Sequence, residues 1–330
     1  MSLFLNVRRL FTLAALRRTM ETAPPLITTV YDTYFPPAVR IEHDSPVIPL
    51  AELRGIANVL PVVQRGAPSH PIVTESMRAD YIEPLPVRAH VPVTAVELNN
   101  LKLMGESSKE RWAARKTLAL RNSVRRTIEA LTAQAQFHGG IDFPMLLSNG
   151  AYARYRVSYG SNIQSYVPDK LWDAVGAKLT DIYLQLDDMG TLLQEEAAGT
   201  IRFLAGKKAY AALLGLVQEF GSTAKVSVAW DERGINVGGF VVAKMVETYK
   251  DPETGIAIPK IPEQEIRAVI ADSNAFFYGA VDDLDANLLP LPFFSKPIKL
   301  EDPSEMRIVG ESKPLPAPVP RAVCAAVVVA

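Results

Sequence analysis

Cysteine occurs once in these 330 residues, at Cys324. A single thiol excludes an intrachain disulfide framework and every cysteine-based zinc motif, and it fits folding in a reducing, cytoplasmic compartment. Histidine is almost as scarce. His43, His70, His90 and His138 are scattered, and no two stand at the i, i+4 spacing that sets a pair of imidazoles on one metal. Long apolar runs are missing too: the longest, Ala322 to Ala330, falls short of the roughly 18 residues of a transmembrane helix. Nor is there an excess of one charge. Lys+Arg 35 against Asp+Glu 36 leaves a formal charge of −1, so the chain as a whole is not a polyelectrolyte binder of nucleic acid or acidic membrane. What remains, 48% hydrophobic and 22% charged, is the balance of a folded, soluble chain.

Catalytic motifs are also lacking. Gly206-Lys207 has Ile201 where a P-loop needs its first glycine and Lys208 where it needs Ser or Thr, so it reads as a strand-to-helix turn. Gly234, Gly238 and Gly239 do not have dinucleotide-binding spacing, and Gly-x-Ser-x-Gly does not occur. Asp282, Asp283, Asp285 and Asn287 resemble the start of a calcium loop. Leu288 replaces the glycine that such a loop requires and no glutamate closes it, so a solvated acidic turn is expected. Cys324 sits in an apolar tail as a small buried filler. No nucleophile, base and oxyanion pocket come together; no catalytic, cofactor-binding or metal-ligating residue is assigned, and the chain reads as no enzyme.

Proline is plentiful but uneven. Twelve of the 25 lie between Pro24 and Pro92 and eight between Pro290 and Pro320, with only five from Val93 to Leu289. Two arms therefore flank a body. The first arm can hold neither a long helix nor a central strand. Its pieces Ile56–Val63, Ile72–Val73 and Val91–Val96 are strand-like and too apolar for a solvated linker. Such a segment is expected to find its cover on neighbouring molecules, by strand addition or by lying across another subunit.

The body opens at Ser107, with Ser107 or Ser108 as N-cap and no proline or glycine before Gly139. One long helix follows. Ala113, Leu120, Val124, Ile128, Leu131 and Ala135 recur at helical steps, with Lys109, Lys116, Arg125, Arg126 and Glu129 mainly on other faces. From Glu106 to His138 seven basic residues face three acidic ones. Tyr152 to Tyr159 alternates as a strand, and Asp169–Glu196 and Lys207–Phe220 read as helices. Thr200–Leu204 reads as a strand, Lys225–Ala229, Val237–Met245 and Ile266–Phe277 as strands or strand–helix mixtures, and Asp251 to Gly255 as a turn. The fold class is α+β.

The N-terminus suggests a different history. Met1 to Met20 carries Arg8, Arg9, Arg17 and Arg18, no acid, and a stripe of Leu3, Phe4, Val7, Leu10 and Phe11, the pattern of a mitochondrial presequence. Leu13 and Leu16 leave that stripe and Arg18 falls on it, so a helix docked on a partner surface is an equal alternative.

Taken in order, these parts resemble the major capsid proteins of tailed bacteriophages, specifically the lambda-type capsid protein E family. The resemblance covers nearly the whole chain from about Pro24. It is carried by Tyr31-Asp32-Thr33-Tyr34-Phe35-Pro36, Ile41 to Ala51, the arginine-rich helix from Ser107, Phe277 to Asp283, and Glu311 to Pro316. It implies a Hong Kong 97-type capsid fold: N-arm 1–44, extended loop 45–105, spine helix and peripheral domain 106–167, axial domain 168–290, and a return to the peripheral domain over 291–330. Pentamers and hexamers of the chain would form an icosahedral virion shell in the bacterial cytoplasm. That shell would enclose double-stranded DNA without reading its sequence, with scaffolding, portal and decoration proteins as partners and no membrane. Some members of this wider fold weld a loop lysine to a neighbour's asparagine. No lysine precedes Lys102 here, so a loop-borne weld is not expected. Lys109, Arg115, Lys116, Arg125 and Arg126 are expected to face the shell interior or a neighbour's acids. An encapsulin-type compartment, and a mitochondrially imported enzyme or carrier with residues 1–20 as presequence, are the alternative readings.

Overall fold

The computed structural model describes residues 12–22, 26–49, 81–103, 105–220, 226–300 and 305–330. The expected strand pieces Ile56–Val63 and Ile72–Val73 and the stripe from Leu3 to Phe11 lie outside them. Helices are α1 (Leu13–Thr22), α2 (Thr29–Tyr34), α3 (Ala95–Asn100), α4 (Glu106–His138), α5 (Leu179–Glu196) and α6 (Lys207–Phe220).

The stretch free of proline and glycine forms α4, 33 residues or roughly 50 Å of rod. Gly105 is its N-cap and makes no side-chain cap, so the helix starts before the expected Ser107 or Ser108. At the other end Gly139 takes the left-handed conformation, φ 72°, and stops it. Its six periodic apolar residues are all buried, as the spacing predicts. Lys109 and Glu129, expected on outer faces, are buried as well, because the arm and the sheets wrap more than one side of the rod.

A seven-stranded mixed sheet runs in the order β7 (Gln164–Ser165), β19 (Val323–Val327), β14 (Glu265–Ile270), β8 (Ile201–Ala205), β11 (Phe240–Lys244), β10 (Gly234–Val237), β9 (Val228–Asp231). Central β14 is covered on both faces. Ile266, Ala268 and Ile270 join the core beneath α5 and α6, while Val269 packs with Val124, Ile128 and Phe137 of α4 on the other side. Each large apolar side chain buried this way contributes about 1.5–3 kcal/mol. Arg267 also lies on the α4 side, where its Nε donates to the Phe137 carbonyl at 3.0 Å.

Two three-stranded sheets flank α4. One has the order β1 (Arg40–His43), β15 (Ala275–Gly279), β18 (Pro314–Ala317); the other is β16 (Phe294–Leu300), β17 (Glu305–Ser312), β4 (Val87–Thr94). Three two-stranded ribbons complete the set: β2 (Ile48–Pro49) with β3 (Tyr81–Ile82), β5 (Gly140–Leu146) with β6 (Tyr152–Ser158), and β12 (Thr248–Lys250) with β13 (Ala257–Pro259).

Several sequence expectations are corrected. Asp169–Lys178 is turn, and helix begins only at Leu179. Ile266–Phe277 contains no helix; it is two strands in different sheets. Val237–Met245 is strand for the most part, β11 over Phe240–Lys244, but begins with the end of β10 and a hairpin turn at Gly238 and Gly239. The acidic turn is only partly solvated, since Asp283 is buried and takes the Lys296 ammonium. The largest correction concerns the proline-rich flank. In its described part Val30, Tyr31, Phe35 and Ile48 are buried in the chain's own core, and β4 pairs with the chain's own β17. α1 likewise docks at home, through Leu16 against Val93, Leu120 and Ile308.

Candidate assembly site

Every helix begins with backbone N–H groups that lack intrahelical acceptors. At α2 no side chain of Thr28 caps them. Glu129 of α4 does so from across the core, its carboxylate accepting from the Val30 and Tyr31 N–H groups at 2.8 Å each. Lys260, just beyond β13, sets its Nζ against both Glu129 and Glu247. Glu247 in turn accepts from Thr29 Oγ1 at 2.5 Å. Burial pulls the Glu247 carboxyl upward, but Lys260 and Thr29 outweigh it and hold it below its ordinary range. Glu129 and Lys260 are both buried, so removal of either leaves a charge without its main partner.

One turn back along α4, Arg125 donates to Asp32 Oδ1 at 2.6 Å, and Arg40 of β1 donates to the same oxygen at 3.0 Å. Both guanidiniums lie over the Tyr31 ring, 3.9 Å (Arg40) and 4.7 Å (Arg125) from its centroid. Burial raises the Asp32 carboxyl, but the Thr28 N–H and the Arg125 and Arg40 guanidiniums outweigh it, and it sits below the usual carboxylate range. The Tyr31 hydroxyl completes the junction against that of Tyr278, whose phenol is pushed up by burial. The arm is thus clamped to the long helix by two charged nodes.

Of the five basic residues singled out from sequence, Lys109 is buried, while Arg115 and Arg126 are exposed. Lys116 Nζ reaches Glu97 at 2.6 Å and the Pro92 carbonyl at 2.9 Å, tying α4 to β4 and α3. Arg125 belongs to the clamp. Lys116 and Arg125 therefore pair with acids of their own chain. The clamp's other charges, Asp32, Arg40, Glu247 and Lys260, were not singled out. Only the four-residue step from Arg125 to Glu129 hints at a shared face of α4, and nothing in sequence points to Lys260.

Apolar side chains are left exposed at separate places: Leu146, Leu147 and Tyr152 on the β5–β6 hairpin, Trp230 on edge strand β9, and Leu284, Leu288 and Leu289 after β15. Among the described residues no cluster of His, Cys, Asp and Glu could hold a metal ion, and no helix is long and apolar enough to cross a membrane. The junction's chemistry is attachment and orientation.

The family model for phage major capsid protein E matches residues 12–328. The fold is similar to that of a protein described as a prophage capsid protein from E. coli CFT073, with TM-score 0.64, 15% identity, and 97% of this chain and 99% of that one covered. A phage-related protein from Bordetella bronchiseptica RB50 aligns at TM-score 0.46 and 11% identity over 96% of this chain and 97% of that one. A virus-like particle protein from Pyrococcus furiosus aligns at 0.42 and 13% over 99% and 100%. No curated protein is significantly similar in sequence. The family match takes in the arm, the long helix and every sheet, and it displaces the reading as an imported enzyme. The chain belongs to the phage major capsid protein E family, structural shell subunits with a Hong Kong 97-type fold.

Proposed function

We propose that this chain is the major capsid subunit of a tailed phage, assembling into pentamers and hexamers and then a closed icosahedral shell around double-stranded DNA. The family match over residues 12–328 carries this reading. In this scheme residues 1–44 are the N-arm, 45–105 the extended loop, 106–167 the spine helix and peripheral domain, 168–290 the axial domain, and 291–330 the return. The shell forms in the host cytoplasm, with scaffolding, portal and decoration proteins as further partners.

Charge supports a container that does not grip its cargo. From Gly139 onward 18 basic residues meet 24 acidic ones, so positive charge is concentrated on α4. Each phosphate contact would oppose release of packaged DNA. Arg115 and Arg126, exposed on α4, are the residues of the predicted set best placed to meet cargo or a neighbour's acids. Lys116 and Arg125 act in holding the rod to the rest of its own subunit.

Light scattering on the purified protein tests the reading: megadalton particles or discrete capsomers are expected, with nucleic-acid absorbance in shells recovered from infected or induced cells. A small species at every concentration would refute it. Particles holding protein cargo and no nucleic acid would favour an encapsulin-type compartment.

A further inference from the structure

The seven-stranded sheet ends in two open edges. Among the described residues no strand pairs with the outer side of β9 at one end or of β7 at the other. Trp230 of β9 lies opposite Ile235 of β10, which is buried in the core beneath α5 and α6, so the indole is on the helix-covered face. It is nevertheless 66% exposed. α6 packs on β8 and β11, and beside it opens a recess of about 520 Å³ lined by Tyr210, Trp230, Arg233 and Lys244. Asp231 and Glu232 also border it. Asp231 is turned back into its own hairpin, Oδ1 accepting from the Arg233 and Gly234 N–H groups, so at the opening two cations face Glu232 alone.

The other end of the sheet carries what would cover this recess. Gln164 of β7 stands beside Cys324 on the same helix-covered face, and its side-chain amide donates to the Leu192 carbonyl of α5 at 3.2 Å. After β7 the chain keeps to the edge. Tyr166 N–H donates to the Ala325 carbonyl at 2.8 Å, and the Tyr166 hydroxyl donates to Asp188 of α5 at 2.9 Å. α5 is therefore held along the β7 edge. It carries five acidic residues and no basic one, and Leu184, Asp187, Asp188 and Thr191 are exposed on it.

We propose that these two ends are the halves of one head-to-tail contact between copies of the chain: β9 of one subunit lies beside the β7 edge of the next, and the neighbour's α5 fills the recess over Trp230 with Asp188 facing Arg233 and Lys244. This rests on the shell reading and names a surface that joins one subunit to the next. An uncovered edge is a template for pairing with another chain. Tryptophan seated in a pocket is a common anchor of an interface, and opposite charge sets partner and register. Because the two surfaces differ, the contact is heterologous and, repeated by rotation, closes a ring.

The test uses the full-length chain, with light scattering and sedimentation. Trp230→Asp blocks one end and Asp188→Arg the other, so each variant alone should need at least about tenfold more protein to assemble than the unaltered chain. Mixed in equal amounts below that threshold, the two should form a dimer and nothing larger, since each pair keeps one intact contact and neither member can add a third. Misfolded subunits could not do this. Oxidative footprinting read by mass spectrometry should show Trp230 protected in assembled particles. Assembly of either variant like the unaltered chain, a mixture that behaves as the sum of its parts, or a Trp230 still reactive in finished particles and open to some other protein would each overturn the proposal. If the unaltered chain forms particles while these results fail, the contact alone is wrong; if it never assembles, the shell reading falls with it.

Discussion

Glu129→Gln is the most informative single substitution. The carboxylate accepts two backbone N–H groups of α2 and faces the buried Lys260 ammonium. Glutamine is nearly isosteric, so no cavity opens. It offers one acceptor oxygen where there were two, and its amide NH2 would point at an N–H donor or at the ammonium. A hydrogen bond to a charged group is worth about 1.5–3 kcal/mol, and breaking a buried pair costs about 3–5 kcal/mol. Lys260 keeps Glu247, which is half exposed, so the lower end applies and a loss of about 3 kcal/mol is expected. That is a large share of the roughly 5–15 kcal/mol of a typical domain. Urea unfolding of unassembled subunits should show the midpoint falling with the slope unchanged. Limited proteolysis should open first near residues 26–28, ahead of α2. The double variant Glu129→Gln, Lys260→Met should recover part of the loss, because it removes the uncompensated charge. A change under about 0.5 kcal/mol, the range of ordinary surface substitutions, would refute the clamp as the anchor of the arm.

Gly206→Ala should destabilise strongly, because a Cβ there would stand 2.2 Å from the Pro262 carbonyl oxygen, a backbone atom that cannot swing aside; soluble yield and thermal midpoint check it. Asp32 and Glu247 both titrate below their ordinary values in the fold, so their contribution is present above the unfolded values near 3.8 and 4.5 and is lost as pH falls below them. Acid titration by near-ultraviolet circular dichroism should show the arm junction loosening in that window, and Asp32→Asn should shrink the dependence there; an unchanged profile contradicts the assignment. Cys324 is fully buried, and burial pushes its thiol up to about 11, so a thiol reagent at neutral pH should label it only after denaturation.

The long helix was legible because nothing between Ser107 and Gly139 interrupts it and its apolar residues keep a helical period. α6 falls on the expected Lys207–Phe220, and the strand-to-helix turn at Gly206 was readable from its glycine and flanking pattern. Asp169–Lys178 misled because its apolar residues mimic helical spacing, whereas Trp172 is fixed by a bond from its indole N–H to Gln185. In Ile266–Phe277 the period gave no clue that Ala271 to Asn274 carries the chain from one sheet to another. The proline-rich flank shows a deeper limit. Apolar content says that Tyr31, Phe35 and Ile48 must be buried, and they are, but composition cannot say in which molecule. The clamp was invisible for a related reason: Arg125 meets Asp32 across 93 positions and Lys260 meets Glu129 across 131, and no spacing rule spans such separations.

Electron microscopy of the purified full-length chain under assembly conditions tests the central claim most directly. The account predicts closed icosahedral particles whose repeating unit is this fold, with the long helix lying in the wall and the arm seated on it through Glu129 and Asp32. A field of isolated single chains under every condition, or particles built with the arm detached from the helix, would contradict it.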